Sequence, residues 1–166
     1  MKLLISPHLK PIYGFIFQYV KNAPDAEDIT QEVFVKAWRN LKKIKQKNFK
    51  AWLFSVARNT SIDFLRKKRA IPFSEFENES GENILDETLA DETDLPDEIL
   101  AKQNIKEQLN AAINKLPPQS RLTLLLHYKE NFTFQEIAEI LHEPLNTVKS
   151  RYRRATIQLK ILLSQN

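Results

Sequence analysis

The sequence predicts an all-α protein, two small helical domains joined by an acidic flexible linker, on three observations. First, the 166 residues include only Gly14 and Gly81 as glycine. Tight β-hairpins and phosphate-cradling loops depend on glycine for left-handed backbone, so both are disfavoured. Second, good helix formers dominate, and apolar residues recur at three–four spacing along both ends of the chain. Third, charge is segregated. Residues 1–72 hold 15 Lys/Arg against 5 Asp/Glu, residues 73–98 hold 11 acidic residues and no basic one, and residues 99–166 hold 10 basic against 5 acidic. Two basic blocks around an acidic one suggest polyanion binding at both ends, although the net charge is only +4.

The elements follow in order. Ile12, Phe15, Ile16, Tyr19 and Val20 share one face of a first helix over about 9–22. Asn22, Pro24 and Asp25 break and restart the chain. Acidic Glu27 and Asp28 then stand in the first turn of a second helix, about 25–44, where the helix dipole favours them. Its inward stripe is Ala26, Ile29, Val33, Phe34, Ala37, Trp38 and Leu41. A third helix, 49–69, carries Phe49, Trp52, Leu53, Val56, Ala57, Thr60 and Phe64 inward, with Phe54 flanking its polar side. Pro72 stops it. Residues 73–98 combine low hydrophobicity with a charge of −11, too little burial to offset the entropy of ordering, so mobility is expected.

The second block restarts at Pro96-Asp97, with Asp97 as cap, in a helix to about residue 115 that turns Ile99, Leu100, Ile105, Leu109, Ala112, Ile113 and Leu116 inward. Pro117-Pro118 ends it and opens the next, about 118–130, where proline is tolerated in the first turn. His127 is expected on its surface. A short helix follows, with Thr133 as cap and Glu136 three residues later, a capping-box spacing. The turn His142-Glu143-Pro144-Leu145 leads to Asn146 as cap of a last helix, about 147–163, burying Val148, Tyr152, Ala155, Leu159 and Leu162.

Composition also excludes classes. No apolar run approaches the length needed to span a bilayer, and the start, MKLLISPHLKP, has only Leu3, Leu4 and Ile5 unbroken, too short for a secretory segment. No cysteine is present, which removes disulfides and thiolate chemistry and fits a reducing cytoplasm. His8, His127 and His142 share no ligand spacing, and no paired carboxylates or Ser/His arrangement is legible. No catalytic, metal or cofactor site is expected, and no small-molecule substrate.

Three segments carry function. FTFQEIAEILHEPLNTVKSRYRRA, residues 132–155, has helix-turn-helix spacing. With Val148, Tyr152 and Ala155 inward, Lys149, Ser150, Arg153 and Arg154 project outward, where such a helix reaches base edges. Arg151 and the free amides at Thr147 and Val148 suit phosphate, and Arg121 completes the set. WLFSVARNTSIDFLRKKR, residues 52–69, presents Arg58, Asn59, Asp63, Arg66 and Lys67 outward. A basic loop precedes it, including Lys45 and Lys47 and running up to Phe49, and suits single-stranded nucleic acid. AEDITQEVFVKAW, residues 26–38, sets Asp28, Gln31, Glu32 and exposed Val35 opposite its apolar stripe, a face able to dock a partner.

In order and spacing these three segments resemble the extracytoplasmic-function sigma factors over nearly the whole chain except its acidic middle. The resemblance implies that 1–72 binds the β′ clamp of RNA polymerase through a D-x-x-Q-E-x-F surface, matched by Asp28, Gln31, Glu32 and Phe34. It implies that the third helix reads and melts the minus-ten element, with Asn59 and Asp63 as polar readers and a flipped non-template base in the loop Lys45 to Phe49. The domain 99–166 would read the minus-thirty-five element as duplex, and the linker 73–98 would follow the nascent-RNA path. The implied partners are core polymerase (β′ and β subunits), promoter DNA as duplex and melted non-template strand, and an anti-sigma factor. His142 and Asn146 stand where the family often has glycine. The alternative is a helix-turn-helix activator or repressor acting on duplex DNA, whose receiver would need strands and an acidic pocket that the first block lacks.

Overall fold

The computed structural model describes residues 6–41, 49–69 and 96–164, without the side chains of Arg69 and 96–103. The expected linker up to residue 95, the second helix beyond Leu41, and Lys45 and Lys47 lie outside the described residues. Every described element is helical: a 3-10 turn at Ser6–His8, then α1 (Leu9–Val20), α2 (Ala23–Asn40), α3 (Phe49–Arg69), α4 (Pro96–Asn114), α5 (Pro118–Leu124) with a π-helical turn Leu125–Lys129, α6 (Phe134–Leu141) and α7 (Leu145–Ser164). The chain divides into two compact units, Met1–Glu82 with Gln135–Glu143, and Asn83–Phe134 with Pro144–Asn166.

In the first unit α1, α2 and α3 each pack on the other two. Lys21 takes a left-handed conformation, φ 54°, and its amide closes α1 on the Phe17 carbonyl. Asn22 then caps α2, its side-chain oxygen accepting from the Asp25 amide at 3.0 Å, so the helix begins two residues before the expected Asp25. Ile12, Phe15, Ile16, Ile29, Val33, Leu53 and Phe54 fill the interior, with the Phe15 and Phe54 rings edge to face at 5.1 Å. The buried hydroxyls of Thr30 and Ser61 donate to the carbonyls four residues earlier, at 2.6 and 2.8 Å, which removes the cost of burying them unpaired.

Two aromatics depart from the expected stripes. Trp38, expected inward, is 57% exposed. The buried positions of α2 are Ala26, Ile29, Thr30, Val33 and Ala37, and Trp38 lies about 100° further round the helix from Ala37. Phe54, expected beside the polar face of α3, is fully buried. The inward face of α3 passes through Leu53, Phe54, Ala57, Thr60 and Ser61, turned from the expected one so that Trp52 and Val56 are only half-buried.

In the second unit α7 packs on α4 and α5, around Leu116, Leu124 and Ala155 with Tyr152, Leu159 and Leu162 against them. Of the stripe expected on α4, the side chains of Ile99 and Leu100 lie outside those described, and the rest is buried toward the C-terminal end. Ala112 and Leu116 are buried, but Ile105 is 65% exposed and Leu109 37%. The helix expected over 118–130 changes character at Leu125, where the wider π-turn rotates the following side chains. His127, expected on the surface, is half-buried there. Its ring stacks on Phe134 at 4.5 Å and meets Tyr152 edge-on at 5.0 Å, and its Nδ1 lies 3.0 Å from the Phe132 carbonyl. The expected cap at Asn146 does not hold, since α7 begins at Leu145, and the side chain of Asp97 lies outside those described. The Pro144 carbonyl takes the Thr147 and Val148 amides, so neither is the free phosphate donor expected from the sequence.

Candidate nucleic-acid interface

α7 turns one side to its core and the other to solvent because its apolar residues recur at helical spacing. Val148 and Ala155 are buried, seven residues apart. Lys149, Ser150, Arg153 and Arg154 are exposed on the remaining surface, while Thr147 and Arg151 are half-buried. The Ser150 hydroxyl donates to the Thr147 carbonyl at 3.1 Å, and Arg154 Nε to the Ser150 carbonyl at 3.3 Å. Those bonds lay Arg154 along its own helix and keep Ser150 an acceptor toward solvent. Arg121 stands apart from this row. It is half-buried, and its Nη1 reaches the Asn114 carbonyl at 3.4 Å, bracing the corner between α4 and α5.

The turn ahead of α7 is built without glycine. His142 adopts φ 52°. Its amide bonds to the Glu139 carbonyl and the Glu143 amide to that of Ala138, the paired bonds of a Schellman helix end. Beside α7 stands Tyr128, which the sequence pattern set among the apolar positions of its helix. Tyr128 is 62% exposed, and its hydroxyl lies 2.6 Å from that of Tyr152. That hydrogen bond, with some burial, raises the Tyr128 ionisation above its ordinary value. Tyr128 thus keeps its hydroxyl proton.

On α3 the exposed residues are Asn59, Asp63, Arg66 and Lys67, with Arg58 half-buried among them. Arg58 Nη1 donates to Asn59 Oδ1 at 3.2 Å, and Arg66 pairs with Asp63 at 2.6 Å. Both amide and carboxylate are therefore held by a cation of the same face. This reduces the conformational freedom that either side chain would lose on binding a partner. Lys68 leaves the basic row, because its ammonium pairs with Asp25 at 2.7 Å and lies over the Phe64 ring. Phe49, named with the loop as a nucleic-acid contact, is only 4% exposed. Its ring packs against Trp52 and His8 at the start of α3.

On α2, Asp28, Gln31, Glu32 and Val35 are exposed and Phe34 is half-buried. Trp38 continues this face, three residues beyond Val35. Its indole was missed because it borders the apolar stripe; the signal was the small Ala37 beside it, which occupies the stripe position next to α2's neighbours. Lys36 pairs with Glu32 at 2.7 Å and also donates to Thr60 of α3 at 3.1 Å. Among the described residues no helix is long and apolar enough to cross a membrane.

Known proteins match both blocks. The family model described as Sigma-70 region 2 matches residues 4–71, and that described as Sigma-70, region 4 matches residues 106–159. The ECF RNA polymerase sigma factor SigW of Bacillus subtilis is 31% identical over 160 residues, 95% of this chain and 85% of that protein. The RNA polymerase sigma factor SigV of the same organism is 32% identical over 166 residues, 97% and 89%. Among solved structures, the sigma factor RpoE in complex with the anti-sigma factor NepR from Bartonella quintana superposes with a TM-score of 0.70. It is 25% identical over 98% of this chain and 96% of that one.

Proposed function

The chain belongs to the ECF RNA polymerase sigma factors, and from that premise we propose which of its faces does which part of the work. As a sigma factor it binds core polymerase and promoter DNA and directs transcription initiation. In our reading the α2 face of Asp28, Gln31, Glu32, Phe34 and Val35 docks on the β′ clamp, with β contacted elsewhere. The α3 face of Arg58, Asn59, Asp63, Arg66 and Lys67, with loop residues Lys45 and Lys47, takes the melted minus-ten strand. The α7 face of Thr147, Lys149, Ser150, Arg151, Arg153 and Arg154 reads the minus-thirty-five duplex, with Arg121 behind it.

The observation that carries this is the row Lys149, Arg153 and Arg154, exposed on the side of α7 opposite buried Val148 and Ala155. A bidentate arginine on guanine contributes about 1–3 kcal/mol of discrimination. Neither DNA contact need be tight, because a shared carrier raises the effective concentration at the second site. Strand opening is driven by capture of an unstacked base, which costs a few kcal/mol to extrude. No bond is made or broken by this chain. Action in the cytoplasm, and capture by an anti-sigma factor as for the RpoE relative, belong to the same proposal.

Purified chain and core polymerase should together start transcripts at a promoter found by sequencing the DNA the protein binds. Arg154→Glu is expected to abolish promoter binding while core binding persists. Asn59→Glu is expected to leave duplex binding and block opening, read as lost permanganate reactivity of the minus-ten thymines. Undiminished transcripts from both variants would reject the assignment.

A further inference from the structure

We propose that Lys36 is a positioning residue that couples the polymerase-docking face of α2 to the DNA-reading face of α3. Its ammonium lies 2.7 Å from Glu32 Oε1, on the exposed side of α2, and donates at 3.1 Å to Thr60 Oγ1 on α3. Thr60 is 6% exposed and directly follows Asn59. One side chain therefore touches a residue of the docking face and, on α3, the buried residue next to Asn59, and it belongs to neither face. The proposal rests on the roles given above to Glu32 and Asn59.

The Thr60 hydroxyl is used differently from its neighbours. Those of Thr30, Ser55, Ser61, Thr123 and Thr156 each donate to the carbonyl four residues back. Such bonds tie a side chain to its own helix. Thr60 instead accepts a hydrogen bond from a residue 24 positions away, from a charged donor, the stronger kind. Lys36 and Glu32 are respectively 41% and 56% exposed in their side chains, so their pair is screened by water and weak on its own. A weak pair is easily redistributed. When a cation of core polymerase engages Glu32, Lys36 loses its partner on α2 and holds Thr60 alone. This changes how firmly α3 is fixed beside Asn59. Linkage is reciprocal: DNA seated at Asn59 then alters the affinity for core by the same factor.

The test uses the full chain bound to saturating core polymerase and reads affinity for a single-stranded minus-ten oligonucleotide. Glu32→Gln and Asn59→Ala are made singly and together, first with Lys36 present and then in Lys36→Met. With Lys36 present the two changes should be non-additive by about five-fold, the low end of typical inter-site coupling. In Lys36→Met they should become additive, and Lys36→Arg should restore the coupling. A merely structural lysine would lower thermal stability and leave the non-additivity in place, which would overturn the proposal. Thr60→Val removes only the acceptor and should also abolish the coupling, so it carries the test if Lys36→Met does not fold. If Asn59→Ala leaves oligonucleotide affinity unchanged, the reading of α3 falls and this proposal with it. If Asn59→Ala weakens binding but adds simply to Glu32→Gln beside an intact Lys36, the coupling alone is overturned.

Discussion

Gly14 stands in the middle of α1, and a Cβ built there would meet no heavy atom within 4 Å beyond its own helix. Its backbone is helical and gains nothing from glycine, which destabilises a helix interior relative to alanine. Gly14→Ala is therefore expected to stabilise the protein by about 0.5–1 kcal/mol, read as a shift of the urea midpoint at unchanged slope. Where left-handed backbone is needed, the described residues use Lys21, Asn131 and His142 instead. The turn at His142 was legible in His142-Glu143-Pro144-Leu145, whereas Lys21 was not, since lysine carries no turn signal. The exposed cations were legible: Lys149, Arg153, Arg154 and Lys67 are all at the surface, because a charge seldom leaves water without a partner. Aromatics gave no such guidance. Trp38 and Phe54 exchanged their expected sides because a large ring fits either a core or a docking surface, and only the neighbouring helices decide.

The helices owe their ends to local chemistry. Asn22 has extended backbone, φ −139°, and caps α2 through its side chain. Asn22→Ala should cost about 1 kcal/mol of stability and leave the helical signal of the folded state intact, as denaturant unfolding followed by circular dichroism would show. The described part of α3 runs to Arg69, as the sequence suggested from Pro72, which disfavours helix in the residue before it. The boundary between α6 and α7 was readable to within two residues, although its cap was misplaced. The change to π-helix at Leu125 was not readable. It depends on how Leu124 and Leu126 both reach the interior, a demand of packing rather than of local sequence. The exposed Ile105 and Leu109 have the same origin, since periodicity marks an apolar face without saying how far along the helix a core extends.

Opposite charge at the two basic ends and in the middle of the sequence makes binding to DNA depend on salt. Each phosphate neutralised releases counterions, with a slope of roughly −0.9 in log K against log salt. Replacing Lys149, Arg153 and Arg154 together by alanine should flatten that slope for the polymerase-bound protein on a promoter fragment by about 2–3 if all three face phosphate. An unchanged slope would put them on bases or off the DNA. The residue pattern alone determined that the described elements are all helical, most helix limits and the cations of each basic face, because periodicity and solvation are local properties. Folding decided that Trp38 is exposed, that Phe54 is interior, that Lys68 is drawn to Asp25, and that Lys36 bridges two helices. Each of these depends on which atoms a distant segment brings within reach, and in that the short-range order of residues has no part.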